Sequence, residues 1–203
     1  MIGIVDYGMG NRRSVEKAFA RVGADQQMTA DHDLLATADG LVVPGVGAMP
    51  EAMRRLREAG LDALIRERAA AGVPVLGLCL GMHLLFESSE EFGATEGLGL
   101  LRGRVVPLRA SGLKLPHIGW HEVGFERETP LTPEGGRAAY YHVHSFAPER
   151  SEDTVAVGDY GGEFVSVAAR GNVFGCQFHP EKSSTAGLGL LRAFTGLCAG
   201  VPA

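Results

Sequence analysis

A cysteine between glycines is the residue of this sequence best placed to act as a nucleophile. Cys79 lies in the segment Gly77-Leu78-Cys79-Leu80-Gly81, the thiol form of the G-x-S-x-G turn that raises a nucleophile between a strand and a helix. Glycines let neighbouring backbone approach such a strained turn, and the positive end of the following helix stabilises a thiolate. The motif alone is equally compatible with a small core cysteine.

A cysteine nucleophile needs a general base, and His179 is the best candidate. Pro180 biases His179 toward an extended conformation, in which residues i and i+2 point to the same side. We therefore expect Glu181 to contact one imidazole nitrogen while the other nitrogen faces the thiol. The alternative is an ordinary loop histidine beside a surface glutamate. With the Cys79 turn in the same chain, a catalytic triad is favoured.

The other cysteines and histidines indicate neither a disulfide framework nor a metal site. The three cysteines are an odd number without a CxxC pair, and we predict that Cys176 and Cys198 are core residues. The remaining histidines lie far apart or in strand contexts, and none shows the HExxH spacing of a helical zinc site: His32, His117, His121, His142 and His144. We expect no catalytic metal and no other cofactor.

Three successions of strand, glycine-rich turn and helix position these residues. Apolar strands at 2–6, 40–43 and 73–78 lead into turns, and helices are predicted at 14–22, at 50–58 and through 82–86. Strands that are apolar on both faces and alternate with helices predict a parallel sheet covered on both sides. The ligand site should then lie at the carboxyl ends of these strands.

The second half of the chain has a different pattern. Short strands at 105–108, 123–125, 140–143, 154–157, 164–168 and 173–178 follow one another without full helices between them. They predict a mixed or antiparallel arrangement, closed by an apolar helix at 187–198. No linker, repeat or low-complexity tract divides the chain, so we predict a single domain over residues 1–203.

Composition excludes some classes of function. The net charge of -5 offers no basic surface for displacing phosphate counterions, so nucleic acid is not an expected partner. No apolar stretch approaches the roughly 20 residues that span a bilayer, and no signal-peptide pattern opens the sequence. We expect a soluble cytoplasmic protein.

Together the motifs resemble those of the triad-type, or class I, glutamine amidotransferases. The similarity rests on the segments 44–47, 77–82 and 178–181, which match in order and separation. Within that superfamily the chain looks most similar to the glutaminase subunits of imidazole glycerol phosphate synthase, an enzyme of histidine biosynthesis. This narrower similarity rests on the segments 6–11, 44–48, 115–120, 141–145 and 177–183, of which Pro-His-Ile-Gly-Trp at 116–120 is the most specific.

The resemblance implies a three-layer Rossmann-like α/β fold, with a mostly parallel sheet and a mixed C-terminal half, and a glutaminase cycle. In that cycle Cys79 attacks the carboxamide of glutamine, His179 protonates the departing ammonia, Glu181 orients the imidazole, and water hydrolyses the thioester. The oxyanion would be bound by backbone N–H groups at Leu80 and, after a rearrangement, at Val46 or Gly47. By itself, the Pro-Gly-x-Gly segment is a weak oxyanion signal, since it is also simply a turn. The substrate would be held by Gly47, His83, Glu91, His144 and Ser145.

The resemblance also implies a partner. Ammonia would pass, shielded from water, to a separate (β/α)8 cyclase subunit that forms imidazole glycerol phosphate and an aminoimidazole carboxamide ribotide. Four residues match positions at or near that interface: Asn11, Trp120, Tyr141 and Lys182. Trp120 and Tyr141 are also compatible with core aromatics, and Lys182 with a solvated charge.

Four positions depart from the family pattern. His83 stands where glutamine is usual and lacks the paired donor and acceptor of a carboxamide. His121 replaces a usual asparagine, His142 a usual aromatic residue, and Phe146 a usual tyrosine. We therefore hypothesise that the chemistry is retained while glutamine binding or coupling to the partner is altered.

Three other functions remain open at this point. One is a glutaminase of another pathway, of the pyridoxal phosphate or aminodeoxychorismate type. A second is a non-catalytic regulatory protein of the same fold, which His83 favours and the intact triad disfavours. A third is a cysteine peptidase or related hydrolase, for which the His-Pro-Glu segment gives little support.

Overall fold

A computed structural model describes residues 1–132 and 136–200. Its strands, numbered in chain order, are β1 (Ile2–Val5), β2 (Gln26–Thr29), β3 (Gly40–Gly45), β4 (Val75–Cys79), β5 (Ser88–Ser89), β6 (Thr95–Glu96), β7 (Arg104–Pro107), β8 (His117–Phe125), β9 (Arg137–His144), β10 (Phe146–Pro148), β11 (Thr154–Asp159), β12 (Glu163–Arg170) and β13 (Val173–Cys176). Its α-helices are α1 (Arg12–Arg21), α2 (His32–Thr37), α3 (Met49–Glu58), α4 (Leu61–Ala70), α5 (Leu80–Leu85) and α6 (Ser184–Cys198).

The main sheet of the described residues joins a parallel half to an antiparallel half. Its strand order is β2-β1-β3-β4-β13-β12-β11-β8-β9. The strands from β2 to β13 pair in parallel, and those from β13 to β9 pair antiparallel. A smaller sheet has the order β10-β7-β5-β6. The predicted α/β fold with a mixed C-terminal half is confirmed.

Helices cover both faces of the main sheet. Buried side chains of α3, α4 and α5 pack on one face, including Met53, Ile65 and Leu84. Side chains of α1 and α6 pack on the other face, where Phe19 meets Phe194 edge to face at 6.4 Å between ring centroids. Strands β1, β3, β4 and β13 are buried throughout, as expected of parallel strands covered on both sides.

The structure contains elements that the sequence pattern does not predict, or predicts too short. Strand β2 carries the polar residues Gln-Gln-Met-Thr at the edge of the sheet, so it lacks the apolar pattern that marks the other parallel strands. Helix α4 follows directly on Gly60, whose φ of 67° is a left-handed conformation more often found where a helix ends. Strand β8 begins at His117, six residues before the predicted strand. None of the described helices has the length and apolar character needed to cross a membrane.

Candidate active site

Cys79 lies in a sharp turn at the junction of β4 and α5. Its φ of 54° and ψ of -111° are strained for a residue with a side chain. Glycines make the turn sterically possible, as predicted. A Cβ on Gly81 would lie 1.7 Å from the Val43 carbonyl oxygen, and one on Gly77 would lie 2.5 Å from the Gly81 carbonyl oxygen. The thiol donates toward the Val143 carbonyl oxygen over 3.9 Å.

His179 and Glu181 reach the same end of the sheet because β13 lies beside β4. The two strands pair in parallel, with Cys176 opposite Leu78, so both chains leave the sheet at one edge. Nδ1 of His179 lies 2.9 Å from Oε1 of Glu181. Only 6% of the His179 side chain and 1% of the Glu181 side chain are exposed. This buried ion pair has the geometry of a base and its orienting carboxylate.

The backbone conformation that brings Glu181 to His179 differs from the predicted one. His179 is extended, with φ -97° and ψ 96°, as expected before a proline. Residues Pro180–Lys182 then form a 3-10 turn, so Glu181 reaches the imidazole by the turn of the chain and not by extended alternation. The Ser183 hydroxyl donates to the His179 carbonyl oxygen at 2.6 Å and fixes the turn.

The electrostatics of the site favour a charged imidazole. Burial by itself lowers the pKa of His179, but hydrogen bonds to Cys79 and Glu181 outweigh burial and raise that pKa to about 10. The imidazolium is therefore the stable form of His179 at neutral pH, with the Glu181 carboxylate at Nδ1 and Cys79 as its other partner. The site can deliver a nucleophilic sulfur and a proton donor together.

A cavity of about 270 Å³ opens beside Cys79. The residues that line it include every residue for which the sequence predicts contact with substrate or oxyanion: Val46, Gly47, Leu80, His83, Glu91, His144 and Ser145. Pro116, Val143, Phe146 and His179 complete the wall. The structure brings these residues together, and their individual roles stay predictions.

The glycine turn that follows β3 lies against the cysteine turn. Gly45 is the register partner of Cys79, and a Cβ on Gly45 would lie 2.6 Å from the Tyr7 hydroxyl oxygen. That hydroxyl donates to the Pro44 carbonyl oxygen at 2.6 Å. Gly47 has a φ of 103°, which favours glycine. The turn is therefore held from behind while its tip borders the cavity.

Glu91 has a structural contact that the sequence does not predict. Its Oε2 accepts the backbone N–H of Met49 at 2.8 Å, at the first turn of α3, where N–H groups lack partners within the helix. Glu91 thus caps α3 and links the turn after β3 to the opposite wall of the cavity. Any contact with a substrate is additional to this cap.

His83 is buried, and one of its nitrogens bonds within the protein. Burial lowers the pKa of His83 to about 4, against the hydrogen bond to Gln177, so the ring is neutral. Nε2 of His83 lies 2.7 Å from Oε1 of Gln177, an acceptor, so Nε2 carries the proton and Nδ1 carries a lone pair. The sequence did not lead us to predict Gln177 at the site. Its position two residues before His179 could have indicated that its side chain lies close to the triad.

Three of the four residues predicted at a subunit interface form one surface cluster. Trp120 is 51% exposed and meets Tyr141 edge to face at 6.2 Å between ring centroids. Lys182 Nζ lies 5.7 Å from the Tyr141 ring centroid, within range of a cation–π contact. The core interpretation of Trp120 is therefore wrong. Asn11 lies apart from this cluster, with Glu181 and His179 beside a smaller cavity.

The histidines that seem scattered in the sequence are not scattered in the fold. Pairing of β8 with β9 brings His117, His121, His142 and His144 into one cluster, so the expectation that they lie far apart is wrong for these four. Over residues 1–132 and 136–200, no group of histidine, cysteine or acidic side chains has an arrangement that could hold a metal ion. Cys176 is fully buried, as its core interpretation predicted. Cys198 is only partly buried, and it packs against the core beside Gly40.

The sequence identifies the class of protein to which this fold and site belong. Residues 3–195 match the family model for class-I glutamine amidotransferases, and the chain belongs to that family. It is 46% identical over 209 residues to the imidazole glycerol phosphate synthase subunit HisH of Geobacillus thermodenitrificans, a match that covers 98% of this chain and 97% of the relative. It is 45% identical over 206 residues to the HisH subunit of Bacillus subtilis, with the same coverage.

Solved structures show the same fold at lower identity. A crystal structure described as a glutamine amidotransferase aligns with a TM-score of 0.77 at 22% identity, covering 98% of this chain and 99% of the other. The PurLQS structure from Thermotoga maritima aligns with a TM-score of 0.74 at 19% identity, covering 97% of each chain. These likenesses support the three-layer α/β architecture.

Proposed function

We propose that this chain hydrolyses glutamine to glutamate and ammonia as the glutaminase subunit of an imidazole glycerol phosphate synthase. The observation that carries the proposal is that Cys79 and His179 line one cavity together with the predicted substrate residues, while Glu181 is paired with His179. The names of the 45–46% identical relatives support the particular enzyme.

The reaction follows from the charges of the triad. The Cys79 thiolate attacks the carboxamide carbon of glutamine, and the developing oxyanion is stabilised by backbone N–H groups, one of them that of Leu80 at the free first turn of α5. The His179 imidazolium gives its Nε2 proton to the nitrogen as the C–N bond breaks, so ammonia leaves and a glutamyl thioester remains. His179 then takes a proton from water, whose oxygen displaces the sulfur and gives glutamate.

Glu181 makes both halves of the cycle possible. Its carboxylate accepts a hydrogen bond from the Nδ1–H of His179, so Nε2 is the nitrogen that gives and takes the catalytic proton. The same negative charge stabilises the imidazolium that exists before ammonia leaves.

The ammonia would be consumed by a second chain. We propose that the surface cluster of Trp120, Tyr141 and Lys182, together with Asn11, docks against a (β/α)8 cyclase subunit. Tryptophan and tyrosine are enriched at the centres of protein interfaces, and Trp120 is exposed beside Tyr141. Docking next to the triad would let ammonia pass without entering solvent. The alternative is a glutaminase of another pathway. The two possibilities are distinguished by which partner subunit stimulates glutamine hydrolysis.

The decisive experiment measures glutamate formation from glutamine by the purified chain, alone and with a cyclase subunit and its nucleotide substrate. Glutamate should form with the cyclase present and disappear in Cys79→Ala, while Cys198→Ser, a change in the same residue type away from the site, should retain activity. Mass spectrometry of the reacting protein should find the glutamyl adduct on Cys79. No glutamate from folded protein under any of these conditions would refute the proposal.

A further inference from the structure

Two neighbouring strands place four histidine rings on one covered face of the sheet. His117 is the register partner of His144, and His142 lies opposite Gly119. His117 and His142 are fully buried, and His144 is 6% exposed. The His117 ring lies between two parallel rings, that of Tyr160 at 4.1 Å and that of His142 at 5.4 Å between centroids. The rings are therefore held by packing as well as by hydrogen bonds.

Three of these rings form a chain of hydrogen bonds that begins at a backbone carbonyl. His144 Nδ1 lies 2.9 Å from the Phe146 carbonyl oxygen, His117 Nδ1 lies 2.9 Å from His144 Nε2, and His121 Nδ1 lies 2.7 Å from His117 Nε2. A carbonyl oxygen only accepts, so Nδ1 of His144 must donate.

The first donor determines all the others. Burial lowers the pKa of His144 to about 2 and, together with His121, that of His117 to about 4, so both rings are neutral and each carries one proton. With its proton on Nδ1, His144 accepts at Nε2, so His117 donates from Nδ1. His117 then accepts at Nε2, and His121 donates from Nδ1. All three rings carry Nδ1–H.

This chain ends in the wall of the candidate glutamine cavity. The cavity is lined by three consecutive residues, His144, Ser145 and Phe146. These residues connect β9 to β10, and the hydrogen bond from the His144 ring to the Phe146 carbonyl oxygen stabilises this connection. His142 supports the same strand from the side, since its Nε2 lies 3.0 Å from the Ser166 hydroxyl oxygen and its Nδ1 lies 3.1 Å from the Tyr140 carbonyl oxygen.

We propose that His117 and His121 are positioning residues for glutamine binding: through the His144 ring they hold the His144–Phe146 wall in the conformation that accepts the substrate. This inference rests on the proposed glutaminase function. It gives His121 the role of donating a hydrogen bond to Nε2 of His117. The asparagine that is usual at this position in the family could make the same hydrogen bond. An asparagine Nδ2–H occupies nearly the place of an imidazole Nδ1–H and can donate to His117 in its stead.

The kinetic test compares His121→Asn with His121→Leu in glutamine hydrolysis, with the cyclase subunit saturating. Removal of one donor should raise the KM of His121→Leu for glutamine by about 3- to 10-fold, with kcat within about twofold of the wild type because no reacting group has changed. His121→Asn should keep the wild-type KM. An unchanged KM in His121→Leu, or an equal rise in both variants, would overturn the proposal.

A second measurement does not need activity. In the full-length wild type labelled with 15N-histidine, NMR should assign the proton of His117 and of His144 to Nδ1 at neutral pH, and His121→Leu should disturb both signals. A proton on Nε2 of either ring would refute the proposed chain of hydrogen bonds, even if His121→Leu failed to fold. If the wild type formed no glutamate at all, the proposed function would fail, whereas an active wild type with the wrong tautomers would refute this inference alone.

Discussion

Nε2 of His83 lies 2.7 Å from Oε1 of Gln177. Because Nε2 donates to this oxygen, Nδ1 of His83 is left with a lone pair that can accept a hydrogen bond from a substrate. Nδ1 of His83 has no hydrogen-bond partner among the described residues, and the ring lines the candidate cavity. His83 can accept one hydrogen bond from a substrate there but cannot donate one. The carboxamide usual at this position in the family can do both.

Replacing His83 by glutamine should therefore strengthen glutamine binding. One additional hydrogen bond to the substrate corresponds to a fall in KM of about 3- to 10-fold in His83→Gln, with kcat within about twofold because the triad is unchanged. His83→Ala should raise KM and serves as the opposite control. Steady-state kinetics with the cyclase present measure both constants. A KM that is the same in the wild type and in His83→Gln would contradict this account of the binding site.

The charge of Glu181 should matter more than its shape. In Glu181→Gln the neutral carboxamide no longer stabilises the imidazolium and can donate to Nδ1, which places the ring proton on Nε2 and removes the catalytic base. We expect kcat to fall by about 100- to 10,000-fold. Glu58→Gln, a neutralised surface carboxylate that pairs with Arg54, should leave kcat unchanged. Near-normal turnover in folded Glu181→Gln would rule out the orienting role.

Two glycine-to-alanine changes should move stability in opposite directions. The Cβ in Gly81→Ala would lie 1.7 Å from a backbone oxygen of β3, which cannot move away without breaking the sheet, so the free energy of unfolding should fall by about 3 kcal/mol. Gly189 lies inside α6, where an added Cβ would have nothing within 4 Å, and Gly189→Ala should raise the free energy of unfolding by about 0.5–1 kcal/mol. Urea unfolding measures both, and equal effects would contradict the steric explanation.

Acid should destabilise the fold through its buried histidines. Burial lowers the pKa of His83 to about 4, below the value of about 6.5 in an unfolded chain. The unfolded state therefore binds the proton first as the pH falls, so the stability from neutral His83 is complete above about pH 6.5 and is lost toward pH 4. The loss from His83 amounts to about 3 kcal/mol at pH 4.

Urea unfolding at pH 7, 6, 5 and 4 checks this prediction. The curve for His83→Gln should fall less steeply than that of the wild type, while His32→Gln, which replaces an exposed histidine, should follow the wild type. Parallel curves for the wild type and His83→Gln would show that the buried ring is not responsible.

The parts of the site that depend on short-range sequence were predictable. The turn at Cys79 needs glycines because backbone from the next turn and strand passes within contact distance, and that requirement is visible in five consecutive residues. His179 and Glu181 were predictable as a pair for the same reason, although the 3-10 turn that joins them was not. A proline after the histidine is compatible with either an extended chain or a turn.

The parts that depend on strand register could not be predicted. Only His142 lay within a predicted strand, and the register of β8 against β9, with His117 opposite His144, decides that the four histidines meet. A shift by one residue would turn His117 to the other face of the sheet and replace it with an exposed neighbour. The contact of Gln177 with His83 likewise joins two elements that are distant in the chain.

The position of β13 has a consequence for how the protein is made. Val173 pairs with Val75, and the strand fills the place between β4 and β12. While the ribosome is still synthesising residues before 173, one edge of β4 therefore has no partner strand, and the imidazole proposed to activate the thiol has not yet been synthesised. Cys79 therefore emerges from the ribosome before the residues proposed as its base and orienting carboxylate, and it meets them only when the nearly complete chain closes the sheet.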